Sequence, residues 1–366
     1  MNKRMNKVSS GILIIILLFT SISTSSCKPK YNAYTYQFTG SFDTVISLVG
    51  HMTSQKEFDR FSKYAEDRFN ELNKLYEIYK DFDGIKNIKT INDNAGIAPV
   101  AVQKDIMDLL VLSKEWYKKT NGKVNIALGS VLKIWHYYRT NADPNDKNPP
   151  IPTIQELQIA NEHVSIEALV LDLVNNTVFI NDPKVQLDVG SVAKGYATEV
   201  VANELEKIGF ISFAISAGGN VKVVGRPLAK DRDKWIIGIQ NPEPEEVNSD
   251  PNGGLINKVA VINTSVVTSG WYQRYFISGG VIYHHIIDPV TLFPQNYYKA
   301  VTIVYKDSGI SDILSTAVML MPYEEAVQFI AQFPGVEVYF VLFNGEVRKT
   351  KGMDALLIGQ DTSNSN

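Results

Sequence analysis

From residue 168 onward, short β-rich runs crowd together with few helices between them, and this pattern restricts the chain to antiparallel architecture. The runs fall at 168–172, 177–180, 185–189, 211–216, 220–224, 235–239, 258–263, 273–277, 281–287, 299–305 and 336–343. Turn formers such as Asn175-Asn176 and Gly279-Gly280 separate them. Helical patterns interrupt only at about 191–208 and 311–332. A parallel sheet needs a crossover connection, usually a helix, for each added strand, and here strands outnumber helices. The expected class is α+β: mostly antiparallel sheets with flanking helices in a single large domain.

The first half reads differently. Phe38 to Val49 alternates loosely as a strand, and Phe58, Phe61, Tyr64, Phe69, Leu72 and Leu75 recur at helical spacing from Ser54 to Tyr79, with Ser54 as the cap. A second helix runs from about Lys104 to Thr120 and stops at Asn121-Gly122; a third covers Leu128 to Tyr138. Asn141 to Pro152, rich in Pro, Asn and Asp, is a surface excursion, and Pro242 to Gly254 is a loop.

Composition narrows the function. The 366 residues carry 36 basic and 39 acidic side chains, and no basic stripe marks a nucleic-acid surface. Five histidines, never at HExxH spacing, and the single cysteine, Cys27, exclude a zinc site, an iron–sulfur cluster and a disulfide framework. Lys3, Arg4 and Lys7 precede an apolar stretch, Ile12 to Phe19, and small residues then lead into Cys27. This resembles a bacterial lipoprotein signal, with Thr24 where a large apolar residue is usual. Residues 1–26 are then a signal peptide, 27–37 a lipid-anchored tether with no apolar period, 38–358 the folded domain and 359–366 a polar tail. The expected location is extracytoplasmic, anchored to the bacterial cell membrane through a lipidated Cys27.

Four segments can carry chemistry. In Val185-Gln-Leu-Asp-Val-Gly-Ser-Val-Ala-Lys-Gly-Tyr196 a strand ends at Asp188 and a helix begins near Ser191, so Lys194 falls in its first turn. A cation there opposes the helix dipole unless an anion is bound at the helix N-terminus; a solvated surface lysine is the alternative. Tyr196-Ala197 stands where a P-loop needs Lys-Ser/Thr, which rejects that motif. Asp312 and Thr316, four apart, put a carboxylate and a hydroxyl on one helix face, a hard oxygen pair suited to magnesium; a capping Asp with a threonine bonded back to its own helix is the alternative. Two strands joined near Gly279-Gly280 form a hairpin whose alternation sends His284 and His285 to opposite faces, and Arg274 can pair on the surface. Ser216-Ala-Gly-Gly-Asn220 permits close backbone approach.

In this order, Asp188-x-Gly-x-x-Ala-Lys-Gly-Tyr196, Ala217-Gly-Gly-Asn220, Thr268-Ser-Gly270, His285-Ile-Ile-Asp-Pro289 and Asp312-x-x-x-Thr316 resemble the ApbE family, over nearly the whole chain after the leader. The resemblance implies a T-fold-like ApbE domain and a magnesium-dependent FAD:protein FMN transferase, which joins FMN by a phosphoester bond to a threonine of an acceptor flavoprotein and releases AMP. It implies Asp312, Thr316 and the backbone carbonyl of Ser191 as Mg2+ ligands. Phe42, Tyr79, Val124, Asn125, Asp188, Lys194, His285 and Ile286 become the residues that contact FAD, which is the substrate. His285 is the implied general base, with Asp312 competing. Acceptors are expected among Rnf- and Nqr-type membrane proteins and secreted flavoproteins. Three positions depart from the family pattern: Phe42 for Met, Asn125 for Asp, and Leu292 for Gly, the last expected to make its turn close differently. The alternatives are an FAD pyrophosphatase yielding FMN and AMP, a non-catalytic flavin-binding lipoprotein, and a solute-binding lipoprotein, the last disfavoured by the strand-rich second half.

Overall fold

Strands with apolar side chains on both faces build the largest sheet. In the computed structural model, which describes residues 30–229, 232–243 and 254–358, the chain from Tyr31 onward clusters as one unit. The expected signal peptide, Cys27 and the polar tail lie outside the described residues.

In chain order the elements begin with β1 (Asn32–Ser41), β2 (Thr44–Met52), α1 (Gln55–Tyr76), α2 (Ile88–Asp93), β3 (Val100–Ala101), α3 (Lys104–Lys119), α4 (Gly129–Asn141) and α5 (Ile154–Asn161). Then come β4 (Leu169–Asp172), β5 (Thr177–Ile180), α6 (Ala193–Lys207), β6 (Phe213–Ala217), β7 (Asn220–Val224), β8 (Trp235–Gln240), β9 (Leu255–Val261) and β10 (Thr264–Gly270). The series ends with β11 (Tyr275–Ser278), β12 (Val281–His284), β13 (Tyr298–Tyr305), α7 (Ser308–Met319), α8 (Tyr323–Ile330), β14 (Glu337–Leu342) and β15 (Val347–Lys349).

Eight strands form the main sheet in the order β1-β2-β6-β7-β10-β13-β14-β15, and every neighbouring pair is antiparallel. Its two faces follow from period-two alternation. Val301, Ile303, Val338 and Phe340 point into the core beneath α1, α6 and α7. Their neighbours Ala300, Val304, Tyr339 and Val341 point the other way, toward Trp235, Ile239, Val259 and Val261 of the β8–β9 hairpin. Antiparallel α+β architecture is therefore what the chain adopts.

Two hydroxyl pairs fix α7 on this sheet. Ser265 and Ser269 of β10 meet Ser311 and Ser315 of α7 at 2.9 and 2.7 Å. Such small side chains let helix and strand approach closely while satisfying one another's buried hydroxyls. A buried ion pair ties β7 to α6, and the same carboxylate holds the start of α7: Lys222 Nζ lies 2.9 Å from both carboxylate oxygens of Glu199, and Glu199 accepts the Ser308 N–H at 2.7 Å.

Several expectations need correction. Residues 32–37, assigned to the tether, belong to β1, because Tyr34, Tyr36 and Phe38 alternate inward onto α1; Tyr34 stacks on Phe58 and the Tyr36 hydroxyl donates to Glu66. Residues 185–189 form only an isolated bridge, Leu128 to Gln186, since the Asn92 side chain occupies both backbone groups of Leu187. The helix expected from 191 starts at Ala193, and the one expected over 311–332 is two helices parted at Pro322. The run at 258–263 reverses at Asn263 (φ +48°) into β10, which the sequence reading did not separate. The run at 281–287 ends at His284.

Leu292 closes its turn as a glycine would, in the left-handed region (φ +64°), not in a different way. Its side chain is buried against Trp135 and Phe276, and its carbonyl accepts the Trp135 indole N–H at 2.9 Å. Burial and this hydrogen bond outweigh the backbone strain.

Candidate active site

The eleven residues singled out as catalytic, cofactor-contacting or metal-ligating all line one cavity of about 460 Å³: Phe42, Tyr79, Val124, Asn125, Asp188, Ser191, Lys194, His285, Ile286, Asp312 and Thr316. They come from the β1–β2 turn, the segment after α1, the loop before α4, the start of α6, the segment after β12, and α7.

The oxygen cluster lies where α6 and α7 cross. Asp312 is 6% exposed and its Oδ2 accepts the backbone N–H of Gly195 at 2.8 Å. Residue 195 has to be glycine, because a Cβ there would stand 2.4 Å from Asp312 Cβ and 2.6 Å from the Ser308 carbonyl oxygen. Burial raises the Asp312 pKa, and the nearby Lys194 ammonium opposes the rise. Lys194 donates to the Gly218 carbonyl at 3.0 Å; its own pKa is lowered by burial. Gly218 adopts φ +53° with Thr44 Oγ1 2.4 Å from where a Cβ would be, so the tight turn delivers that carbonyl.

Thr316 sits one turn beyond Asp312. Ser311 and Ser315 hydroxyls bond back to backbone carbonyls of their own helix region, at 2.7 and 2.9 Å, whereas the Thr316 hydroxyl has no hydrogen-bond partner among the described residues. The back-bonded threonine alternative therefore does not describe this residue. Asn220, 1% exposed, has neither amide atom hydrogen-bonded in good geometry, yet it lies close enough to Asp312 to favour its charged form. A buried carboxyl group, a free hydroxyl and an unsatisfied amide oxygen, all hard oxygen donors, suit a small cation such as magnesium. Among the described residues no group of three or more His, Cys, Asp or Glu is placed to hold a metal, so a cation here would need neutral oxygens beside Asp312.

The two histidines divide as alternation requires. His284, 1% exposed, places Nε2 3.1 Å from the Gln295 carbonyl and receives the Ile286 N–H on Nδ1. His285 faces the cavity, with Nδ1 3.2 Å from the Arg274 carbonyl. A carbonyl only accepts, so Nδ1 carries the proton and the Nε2 lone pair is left open. Burial lowers the pKa of His284 to about 4 and of His285 to about 3, so both rings are neutral near pH 7.

The remaining residues are held less directly. Phe42 and Asp43, both at positive φ, form the two-residue β1–β2 turn, and Asn73 Oδ1 receives the Phe42 N–H at 2.8 Å. The Phe42 ring packs against Phe69 and Tyr76. Asn125 uses both ends of its amide on the protein, donating to the Val164 carbonyl and accepting the Ala127 N–H. An aspartate could not make the first bond, which explains Asn here. Asp188 Oδ1 accepts the Gly190 N–H at 2.8 Å, and burial raises its pKa. Tyr79 stacks on His136 at 5.3 Å.

The sequence reading missed His136 and Arg139. They share a face of α4, line the cavity and lie 3.2 Å apart, and Arg139 has no carboxylate partner among the described residues. Their three-residue spacing in an apolar helix was the available signal. Arg274 does pair with exposed Asp43 (3.3 Å) and still lines the cavity, and Lys123 is held by Asp288 at 3.1 Å. Arg139, Lys194 and Arg274 bring cations to a lining that also holds Asp43, Glu77, Asp188 and Asp312, and Arg139 and Lys194, which have no ion-pair partner among the described residues, are the groups open to a polyanion.

A family model described as the ApbE family matches residues 42–340. A Treponema pallidum protein named FAD:protein FMN transferase is 32% identical over 270 residues, 72% of this chain and 72% of that protein. A Klebsiella pneumoniae protein of the same name is 28% identical over 258 residues, 70% of this chain and 75% of that one. The crystal structure of an ApbE protein from Thermotoga maritima superposes with a TM-score of 0.74 at 24% identity, over 90% of this chain and 100% of that chain, which establishes a shared fold.

Proposed function

The chain belongs to the ApbE family, and from that premise we propose that it is an FAD:protein FMN transferase that depends on magnesium. The observation that carries this is the single cavity joining Asp312 and Thr316 to Lys194 and His285.

Asp312, Thr316 and the carbonyl of Ser191 would hold magnesium, which when bound offsets the negative charge of the FAD pyrophosphate. Lys194, fixed by the Gly218 carbonyl, and the cations Arg139 and Arg274 orient that pyrophosphate. The acceptor threonine oxygen forms a new bond to the FMN phosphorus as the bond to the AMP phosphate oxygen breaks. The threonine proton passes to a base, and AMP leaves. His285 offers the free Nε2, because its Nδ1–H is committed to the Arg274 carbonyl; burial alone leaves that ring a weak base, and the negative charge of a bound pyrophosphate would raise its pKa toward the working range. Asp312 is less suited, since one oxygen is already committed to the Gly195 N–H and the carboxylate is the anionic ligand of the set.

We further propose, from the basic start, the apolar stretch 12–19 and Cys27, that the protein is anchored outside the cytoplasm by a lipid on Cys27, and that its acceptors are of the Rnf or Nqr type or secreted flavoproteins. Loss of membrane association in a Cys27→Ser variant tests the anchor. Metal dependence is tested by Asp312→Ala and by chelation. Each should reduce FMN transfer at least a hundredfold, and full activity in either would remove the metal from this proposal.

A further inference from the structure

On the opposite face of the main sheet from α6 and α7 runs a second, larger depression of about 1010 Å³, between β8 and the outer faces of β1, β2, β6 and β7. It shares Phe42, Asp43, Lys194, Thr268, Gln273 and Arg274 with the cofactor cavity, so the two adjoin along that rim, beside the Gly218-Gly219 turn that lines the groove. We propose that this groove is where the acceptor protein lays an extended, acidic segment so that its hydroxyl enters the cofactor cavity. The inference rests on the transferase reading and names the partner surface for it.

Three observations support that occupant. A protein substrate needs a route to a phosphorus atom held in a cavity of 460 Å³, and the shared rim provides one. The floor is lined by small outward-facing side chains, Ala33, Thr35, Ser47, Ala214 and Ser216, which leave room for a polypeptide backbone. The wall strand β8 pairs only with β9 among the described residues, so alternate backbone groups on its other side can bond to an added strand. Charge then selects the segment. Arg232 and Lys234 line the groove exposed and without an ion-pair partner among the described residues, while Asp43, the one acidic residue among the described lining, is paired with Arg274. An acidic flank on the acceptor complements this end of the groove.

The test uses the full chain with FAD, magnesium and an acceptor domain that the Treponema pallidum relative flavinylates under the same conditions. Two variants alter the groove without touching the cofactor cavity: the double charge reversal Arg232→Glu/Lys234→Glu, and the plug Thr35→Trp on exposed β1. Each should raise the acceptor KM at least tenfold while FAD affinity, read by quenching of flavin fluorescence, stays within twofold of wild type. Raising the salt concentration should weaken wild-type acceptor binding more than that of the charge-reversed variant. An unchanged acceptor KM in both variants would overturn the proposal, as would a loss of FAD affinity that tracks the KM. If the wild-type chain leaves the acceptor unmodified while the relative modifies it, the transferase reading itself fails and takes the groove with it.

Discussion

Single residues set the geometry of the oxygen cluster, and Gly195 does so most directly. Adding one methyl group would force Asp312 and the Ser308 carbonyl away from α6. Gly195→Ala should therefore destabilise the fold by about 1–3 kcal/mol through overpacking and reduce FMN transfer more than its lowered melting temperature explains. Thermal unfolding and a transfer assay on one preparation check both. At Leu292 the terms oppose each other. The left-handed backbone costs of order 1 kcal/mol, whereas burying the leucine contributes roughly 2, so Leu292→Gly should lower stability by about 1 kcal/mol despite relieving strain. A more stable variant in urea titration would show that strain dominates. The histidines give the pH dependence. His284 titrates at about 4 and His285 at about 3 in the fold, both lowered from 6.5 by burial. At these two rings the unfolded state binds more protons between pH 6.5 and 4, so their contribution to stability falls as pH falls, while the raised pKa of buried Asp188 and Asp312 acts in the opposite sense. Unfolding midpoints measured across that window should lose less stability on acidification in His285→Gln than in the wild type.

Elements hold these residues in register, and the α6–α7 crossing depends on one ion pair. Lys222 and Glu199, with side chains 8% and 15% exposed, tie β7 to α6, and Glu199 also receives the N–H of Ser308 at the start of α7. Replacing Lys222 by Met leaves a buried carboxylate uncompensated and should cost about 3 kcal/mol, measured by chemical denaturation; a change below about 1 kcal/mol would mean that water already reaches the pair. Legibility also varied at this scale. Ser54 and its apolar repeat revealed α1 within a few residues, because cap and face are both local signals. By contrast β10 was hidden: Thr264 to Gly270 is a central strand whose serines serve α7 rather than solvent, so its pattern does not alternate in polarity. β1 was read too short because Tyr34 and Tyr36 look polar in composition but are inward-facing by position. Short helices such as α2 and α5 owe their existence to capping boxes at Asn87 and Thr153, which were not noticed without a longer apolar run.

For the whole molecule, the site is the place where the main sheet's helical face, the β1–β2 turn and the cluster around Trp135 meet. That cluster, with Leu128, Leu157, Phe276 and Leu292, carries His136 and Arg139 of α4 on one side of the cavity and His285 beyond β12. The candidate residues lie between positions 42 and 316, so their convergence could be read from the sequence only through motif order and resemblance to a family, not from any local pattern. His136 and Arg139 lie outside those motifs, and the groove beyond the sheet was illegible because its small outward-facing residues look like any solvated strand face. Transfer of FMN to protein is read by mass spectrometry of an acceptor domain incubated with this chain, FAD and magnesium. The acceptor should gain the mass of FMN less water, and only with the metal present. FMN and AMP released with the acceptor unchanged, where another family member modifies that acceptor, would contradict it and identify a pyrophosphatase instead.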